Sequence, residues 1–428
     1  MNRLGTALAC GLVLCCATAY AKLSSQDIKR IKKEMSEASQ GKDWNKLADL
    51  VRQLAEDDKK PTWKFLLKVA ESTPPEGGAV YTALADATGK MQAKGIDAEA
   101  RRALAHSRVT GVRRALLHAA ADRKDYAAVV DALDDSDEDV AYAAIWTLGK
   151  ARAEEGVEPL IKLMEKLDAK KTGNWLELRT ALSHLLGEQL QSGAEYRSLW
   201  EALKAQGGLK AAKPFDPSSV REGGGTMTLS FFGRSIESSR VVFILDTSGS
   251  MFAKDPYELP KATVEGAPPK PLNRLERAQE QLKKVINGLS EGVRVNIIAY
   301  SSPGTSQIWK KPAKEGDKPQ VHPLTKENRE SACKFVDGFV TSGATATDEA
   351  LRLAYTVEGA RAFYLLSDGA PTAPKGNTAL DPEVIYKLCR EEDRGRGIKV
   401  HTMGFRGASR EFMQKLASLT GGTYSDIK

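Results

Sequence analysis

The stretch Val241–Met251, VVFILDTSGSM, constrains this chain most. A short apolar run rich in β-branched residues stops abruptly at Asp246, Ser248 and Ser250. Such a run reads as a strand buried on both faces of a parallel sheet. The turn after it carries three small oxygen-bearing side chains at alternate positions. Oxygens crowded at a strand's carboxyl end suit a hard divalent cation, which takes hydroxyl, carboxylate and water ligands. In open α/β sheets, ligands bind at that same end of the strands.

Two further pieces extend the motif. Gly343-Ala344-Thr345, within TSGATATDEAL, precedes a helix-period segment and offers another hydroxyl; Phe363–Gly369, FYLLSDG, is a second apolar strand ending in Asp368. A strand-end D-x-S-x-S, a loop threonine and a second strand-end aspartate resemble the metal-ion-dependent adhesion site of von Willebrand factor A domains. The resemblance covers about residues 239–428. It implies that Ser248, Ser250 and Thr345 contact a metal directly, with Asp246 and Asp368 acting largely through bound water. It also implies Mg²⁺, which prefers an oxygen octahedron and keeps several waters, with Mn²⁺ as a substitute. An ion held by three neutral hydroxyls and two carboxylates stays electron-poor, and so accepts an Asp or Glu carboxylate from a partner protein. The competing reading of the same residues is a set of turns and helix caps. A D-T-G aspartic protease is excluded, because a serine interrupts the triplet and no second copy follows.

The surrounding pattern predicts a doubly wound, mostly parallel, Rossmann-like sheet. Leu275, Ala278, Leu282, Val285 and Ile286 give a helical period over 273–289. Strand 293–300 follows, with 307–310 as a hairpin partner. Helices are expected at 327–339 and 348–357, a strand at 361–367, a helix at 382–392, a strand at 398–405, a helix at 409–419 and a closing strand near 423–427. These elements complete the sheet, an expectation of a whole domain. The proline-rich stretch 252–272, with Asp255, Glu258 and Glu265, reads either as a lid over the metal face or as a solvated insert. Residues 311–324 read as bland loop.

Residues 24–206 differ in kind, being alanine- and leucine-rich with few strand signals. Asp137–Lys150 and Val157–Leu167 form a helix pair that resembles a HEAT-like repeat; weaker copies span 109–133 and begin near Trp175. Stacked pairs bury a continuous core and offer a long surface for a second protein; a plain helical bundle is the alternative. Residues 207–225 read as linker, and 227–232 as a strand that adds to the sheet's edge. The expected organisation is α plus α/β: a signal peptide at 1–21, a helical segment at 22–75, helical repeats at 76–206, a linker and lead-in at 207–238, and the metal-binding domain at 239–428.

Arg3, the apolar run Leu4–Ala17 and Ala19-Tyr20-Ala21 fit a cleavable export signal, too short for a span of about 20 apolar residues. The combination resembles exported bacterial proteins carrying von Willebrand factor A domains, and implies a periplasmic or secreted location. Cys333 and Cys389 would then either pair or stay buried thiols. The formal charge of +7 comes from 63 basic and 56 acidic residues that are interspersed, which gives no footprint for nucleic acid. No residue set reads as catalytic, since hydrolysis needs a positioned base and an oxyanion stabiliser. The expected function is therefore metal-dependent protein binding. A scaffold whose metal only steadies the loops, and a metal-assisted hydrolase, are the alternatives.

Overall fold

The computed structural model describes residues 23–427 except 170–172, 216–229, 256–271, 313, 315, 374–377 and 394–395. The expected signal segment and most of the 252–272 stretch lie outside the described residues.

The described residues of the amino-terminal half form helices and no strand: α1 Ser25–Gln40, α2 Trp44–Leu54, α3 Lys60–Glu71, α4 Gly78–Lys90, α5 Ile96–His106, α6 Thr110–Asp122, α7 Tyr126–Asp131, α8 Glu138–Ala151, α9 Val157–Leu167, α10 Trp175–Leu186 and α11 Gly193–Lys204. Local chemistry starts several of them. Ser24 and Asp27 form a reciprocal capping box on α1, and Asp43 and Ser192 accept the first-turn amides of Lys46 in α2 and Glu195 in α11. Helices α2, α4, α6, α8 and α10 pack successively side by side, and α9 and α11 pair in a second layer. One continuous core, with Trp63, Leu84, Leu116, Ile145 and Leu182 at 0–1% exposure, runs the length of the stack. Helix pairs of this kind cannot bury their apolar faces alone, and stacking does it for them.

The carboxy-terminal half opens with a small hairpin, β1 Ser230–Phe231 and β2 Arg234–Ser235. For the described part of the expected edge strand at 227–232 this is a correction: Ser230–Phe231 pairs with Arg234–Ser235 across a turn at Phe232 and Gly233, both at positive φ, while 227–229 lie outside the described residues. The main sheet holds β3 Arg240–Asp246, β4 Arg294–Tyr300, β5 Gln307–Ile308, β6 His322–Pro323, β7 Ala362–Ser367, β8 Lys399–Gly404 and β9 Tyr424–Asp426. Strand order is β5-β4-β3-β7-β8-β9, with β3, β4, β7, β8 and β9 parallel and β5 and β6 antiparallel on β4. The stretch 311–324 is thus not plain loop, because it contributes β6. Its apolar Val321 and Leu324 are buried, which anchors it.

Among the described residues the α-helices of this half are α12 Arg274–Gly288, α13 Lys326–Asp337, α14 Thr347–Thr356, α15 Pro382–Asp393 and α16 Arg410–Thr420. Alternate residues of β3 feed the two faces. Val241, Phe243 and Leu245 pack with α12 and α13, whereas Val242 and Ile244 pack with α14, α15 and α16. Cys333 joins the first face and the buried Cys389 the second, so the sheet lies between them and both are free thiols. That resolves the pairing question against a disulfide. Among the described residues no helix is long and apolar enough to cross a membrane.

The halves meet at the amino ends of the sheet strands. Arg361, 3% exposed, donates to Asn174 Oδ1 at 2.6 Å, to the Glu138 carbonyl at 3.0 Å and to Asp139 Oδ1 at 3.2 Å, and lies 4.4 Å over the Tyr142 ring. Arg240, which opens β3, pairs with Glu138. Glu177 Oε1 accepts from Ser238 Oγ, Ser239 N and Ser239 Oγ at 2.8–3.0 Å, with Arg361 Nη1 at 3.5 Å. A buried charge left without its partner is costly. Substituting Glu177→Gln should therefore lower stability in urea unfolding by about 3 kcal/mol. A change below about 0.5 kcal/mol, the range of ordinary surface substitutions, would contradict this docking.

Candidate metal site

Strand β3 lies at the centre of the sheet, with β4 on one side and β7 on the other. The connection after β3 runs to β4 on one side and that after β7 to β8 on the other, so the carboxyl ends of β3 and β7 form the crevice in which ligands of open α/β sheets bind. Asp246 closes β3, and Asp368 follows the last residue of β7.

Asp246 is fully buried. Its Oδ1 accepts the Ser248 amide at 2.8 Å and its Oδ2 the Ser367 hydroxyl at 2.6 Å. The first bond closes a tight Asx turn that swings Ser248 and Ser250 back over the strand end. Ser248 Oγ lies 3.1 Å from Ser250 Oγ, and Ser250 Oγ donates to Asp368 Oδ1 at 2.7 Å. Four of the five sequence-predicted residues are therefore one hydrogen-bonded cluster.

Thr345 arrives on a third segment, the loop before α14. Gly249 N donates to the Gly343 carbonyl at 3.0 Å and Ser342 N to the Thr247 carbonyl at 2.8 Å, lacing this loop to the serine turn. Gly343 has φ +72°, which favours glycine, and a Cβ there would also displace Ser302 Oγ, which accepts the Ala344 amide at 3.0 Å. Thr345 is held by its backbone. Its amide donates to Thr372 Oγ1 at 3.0 Å and its carbonyl accepts from Thr372 N at 3.0 Å. Its hydroxyl lies beside the Asp368–Gly369 peptide, where a Cβ on Gly369 would be 3.3 Å from Thr345 Oγ1. All five residues thus belong to one site at the end of the sheet.

The donor set fits a hard dication. It consists of three hydroxyls and two carboxylates, with no thiolate and no imidazole. Among the described residues no three or more His, Cys, Asp and Glu side chains form a metal-binding group. A cation here would accordingly rely on the hydroxyls and water. His401, a buried histidine of the same domain, stacks on Tyr364 at 4.7 Å and meets Thr423 Oγ1 at 2.9 Å, a packing role.

Three contributors escaped the sequence reading. Ser367 stands inside FYLLSDG and looked like strand. Thr372 lies beyond the motif in a proline-flanked loop. Arg274, the first residue of α12, donates from Nη1 to Asp368 Oδ2 at 2.6 Å. It also forks onto Asp255 at 2.7 Å from Nε and from Nη2, and Nη2 reaches the Arg406 carbonyl at 2.6 Å. Hydrogen bonding to Asp255 raises the guanidinium pKa, and the same contact lowers that of Asp255. Asp255 is thus taken up by Arg274, while Glu258 and Glu265 of the same stretch lie outside the described residues.

Burial pushes the Asp246 carboxyl up to about 6, outweighing the hydrogen bonds from Ser248 and Ser367 that act the other way. An unfolded aspartate ionises near 3.9. Between these values the folded state holds the proton that the unfolded state has lost, so this group's contribution to stability falls as pH rises from about 4 to 6. In chelator, Asp246→Asn should become more stable relative to wild type by about 3 kcal/mol between pH 4 and 7. A difference that stays constant across that range would contradict the burial argument.

Residues 241–370 match the von Willebrand factor type A domain. Human von Willebrand factor A domain-containing protein 3A is 29% identical over 196 residues, covering 45% of this chain and 14% of that protein. Human inter-alpha-trypsin inhibitor heavy chain H4 is 27% identical over 203 residues, covering 44% of this chain and 18% of that protein. This chain thus spans less than a fifth of the length of either relative. A solved von Willebrand factor type A structure from Catenulispora acidiphila aligns at TM-score 0.33 and 19% identity, over 45% of this chain and 40% of its own. Within the carboxy-terminal half, residues 241–370 are thus similar to a von Willebrand factor type A domain, and a helical region precedes them.

Proposed function

We propose that this protein is a metal-dependent protein-binding module that acts outside the cytoplasm and uses Mg²⁺, or Mn²⁺ in its place, to accept a partner's carboxylate. The observation that carries the reading is the convergence of Ser248, Ser250 and Thr345 with Asp246 and Asp368 from three separate segments. In the proposed chemistry the three hydroxyls bind the ion directly and the carboxylates hold its waters. Neutral direct ligands leave the ion's charge poorly compensated, and an outside Asp or Glu side chain completes it.

The rim supports a macromolecular partner. Phe252, 67% exposed, follows the serine turn, and Val340, 73% exposed, precedes the Thr345 loop. These are the two most exposed large hydrophobic side chains among the described residues, and both lie on loops that meet at the site. A charged anchor ringed by apolar contacts is how protein interfaces concentrate their binding energy. The helical stack docks on the opposite end of the sheet and offers a surface for a second protein. The basis for the extracytoplasmic reading is the sequence pattern of residues 1–21, which fits a cleavable export signal.

Immobilised full-length protein should capture acidic partners from an envelope extract in Mg²⁺ and release them in chelator. Asp246→Ala should abolish capture while the circular dichroism spectrum stays that of a folded protein. Capture that persists in chelator, or in Asp246→Ala, would defeat the proposal. Phe252→Ala with Val340→Ala should weaken capture at least about tenfold, equivalent to about 1.4 kcal/mol. Unchanged capture by that double variant would remove the two side chains from the interface.

A further inference from the structure

We propose that Arg274 is a resident counter-cation of the metal site: it occupies Asp368 in competition with the divalent ion and thereby keeps metal affinity low. The inference rests on the metal reading above and adds a residue that opposes the ion.

Four observations carry it. Both oxygens of Asp368 are engaged, Oδ1 by Ser250 Oγ at 2.7 Å and Oδ2 by Arg274 Nη1 at 2.6 Å. An ion drawing on this carboxylate, directly or through water, must share it with a guanidinium. The arrangement is also sheltered, with the side chains of Arg274, Asp255 and Asp368 at 11%, 10% and 0% exposure, so solvent screens it far less than a surface pair. Next, the guanidinium ties together three segments: the loop after the serine turn through Asp255, the start of α12, and the β8–α16 loop through the Arg406 carbonyl. Its planar fork suits that bridging, and a lysine could not copy it. Lastly, Arg274 is the first residue of α12, where the helix dipole disfavours a positive charge. Nothing about helix formation calls for arginine there, whereas the two carboxylates do.

Asp255 sets how strongly this counter-cation acts. While Asp255 holds two of the guanidinium nitrogens, only Nη1 is committed to Asp368. Removing Asp255 alone leaves the whole charge to Asp368. Removing Arg274 frees a carboxylate beside the ion. The two substitutions therefore push metal affinity in opposite directions, an outcome that general damage to the site would not produce.

Mg²⁺ titration of the full chain by calorimetry, with Mn²⁺ binding followed by electron paramagnetic resonance as a check, tests this. Arg274→Gln should bind at least about tenfold more tightly than wild type, since a unit charge next to a dication is worth that much even at high effective dielectric. Asp255→Asn should bind more weakly by a measurable factor, roughly threefold or more. If Arg274→Gln does not fold, Arg274→Gln with Asp255→Asn removes both partners, leaves no stranded charge, and should also bind more tightly than wild type. Equal or weaker binding by these Arg274 variants, with Asp246→Ala still abolishing the titration, overturns the counter-cation and leaves the metal reading standing. No Mg²⁺ or Mn²⁺ binding by wild type and Arg274→Gln alike overturns both.

Discussion

The carboxylate of Asp246 is the constraint around which this domain is arranged. A carboxylate buried at the end of a central strand must be hydrogen-bonded, protonated or paired with a cation. Here it takes one amide and one hydroxyl, and burial still drives its pKa up to about 6. The serine turn, the Thr345 loop and Asp368 are the groups that a cation entering this crevice would meet. Their placement follows from the strand order, since β3 and β7 are adjacent and parallel and end at the same level.

The same two strands are anchored at their other ends. Arg240 opens β3 and Arg361 immediately precedes β7, and both engage the start of α8 at Glu138 and Asp139. The strands carrying Asp246 and Asp368 thus reach from the helical stack to the candidate site. Because Arg361 and Glu177 are buried together, the two halves meet through paired charge as well as apolar packing.

Much of this was legible in the sequence, and the reason is periodicity. Apolar runs ending in Asp246 and Asp368 are unmistakable as buried strands, and the periods at Leu275–Ile286 and in Asp137–Lys150 show their helices plainly. The five site residues sit at strand ends and in one glycine-bearing loop, where spacing carries the signal. What escaped depends on tertiary placement. His322–Pro323 is a two-residue strand whose pairing comes from β4 alone, too short for any alternation to show. The lead-in at Ser230–Phe231 alternates like a strand, but its turn folds it onto itself and away from the sheet edge. Arg274 reads as an ordinary helix arginine, because its role is defined by Asp255, Asp368 and the Arg406 carbonyl, which come from other parts of the chain.

The central claim is that one cation sits on Ser248, Ser250 and Thr345. Crystals soaked in Mn²⁺, with diffraction data collected at the manganese absorption edge, test it most directly. The account predicts a single strong anomalous peak within direct bonding distance of all three hydroxyl oxygens. Asp246 and Asp368 should lie around it, bridged by water. Absence of a peak at this crevice in saturating Mn²⁺, or a peak bound elsewhere on the domain, would contradict it.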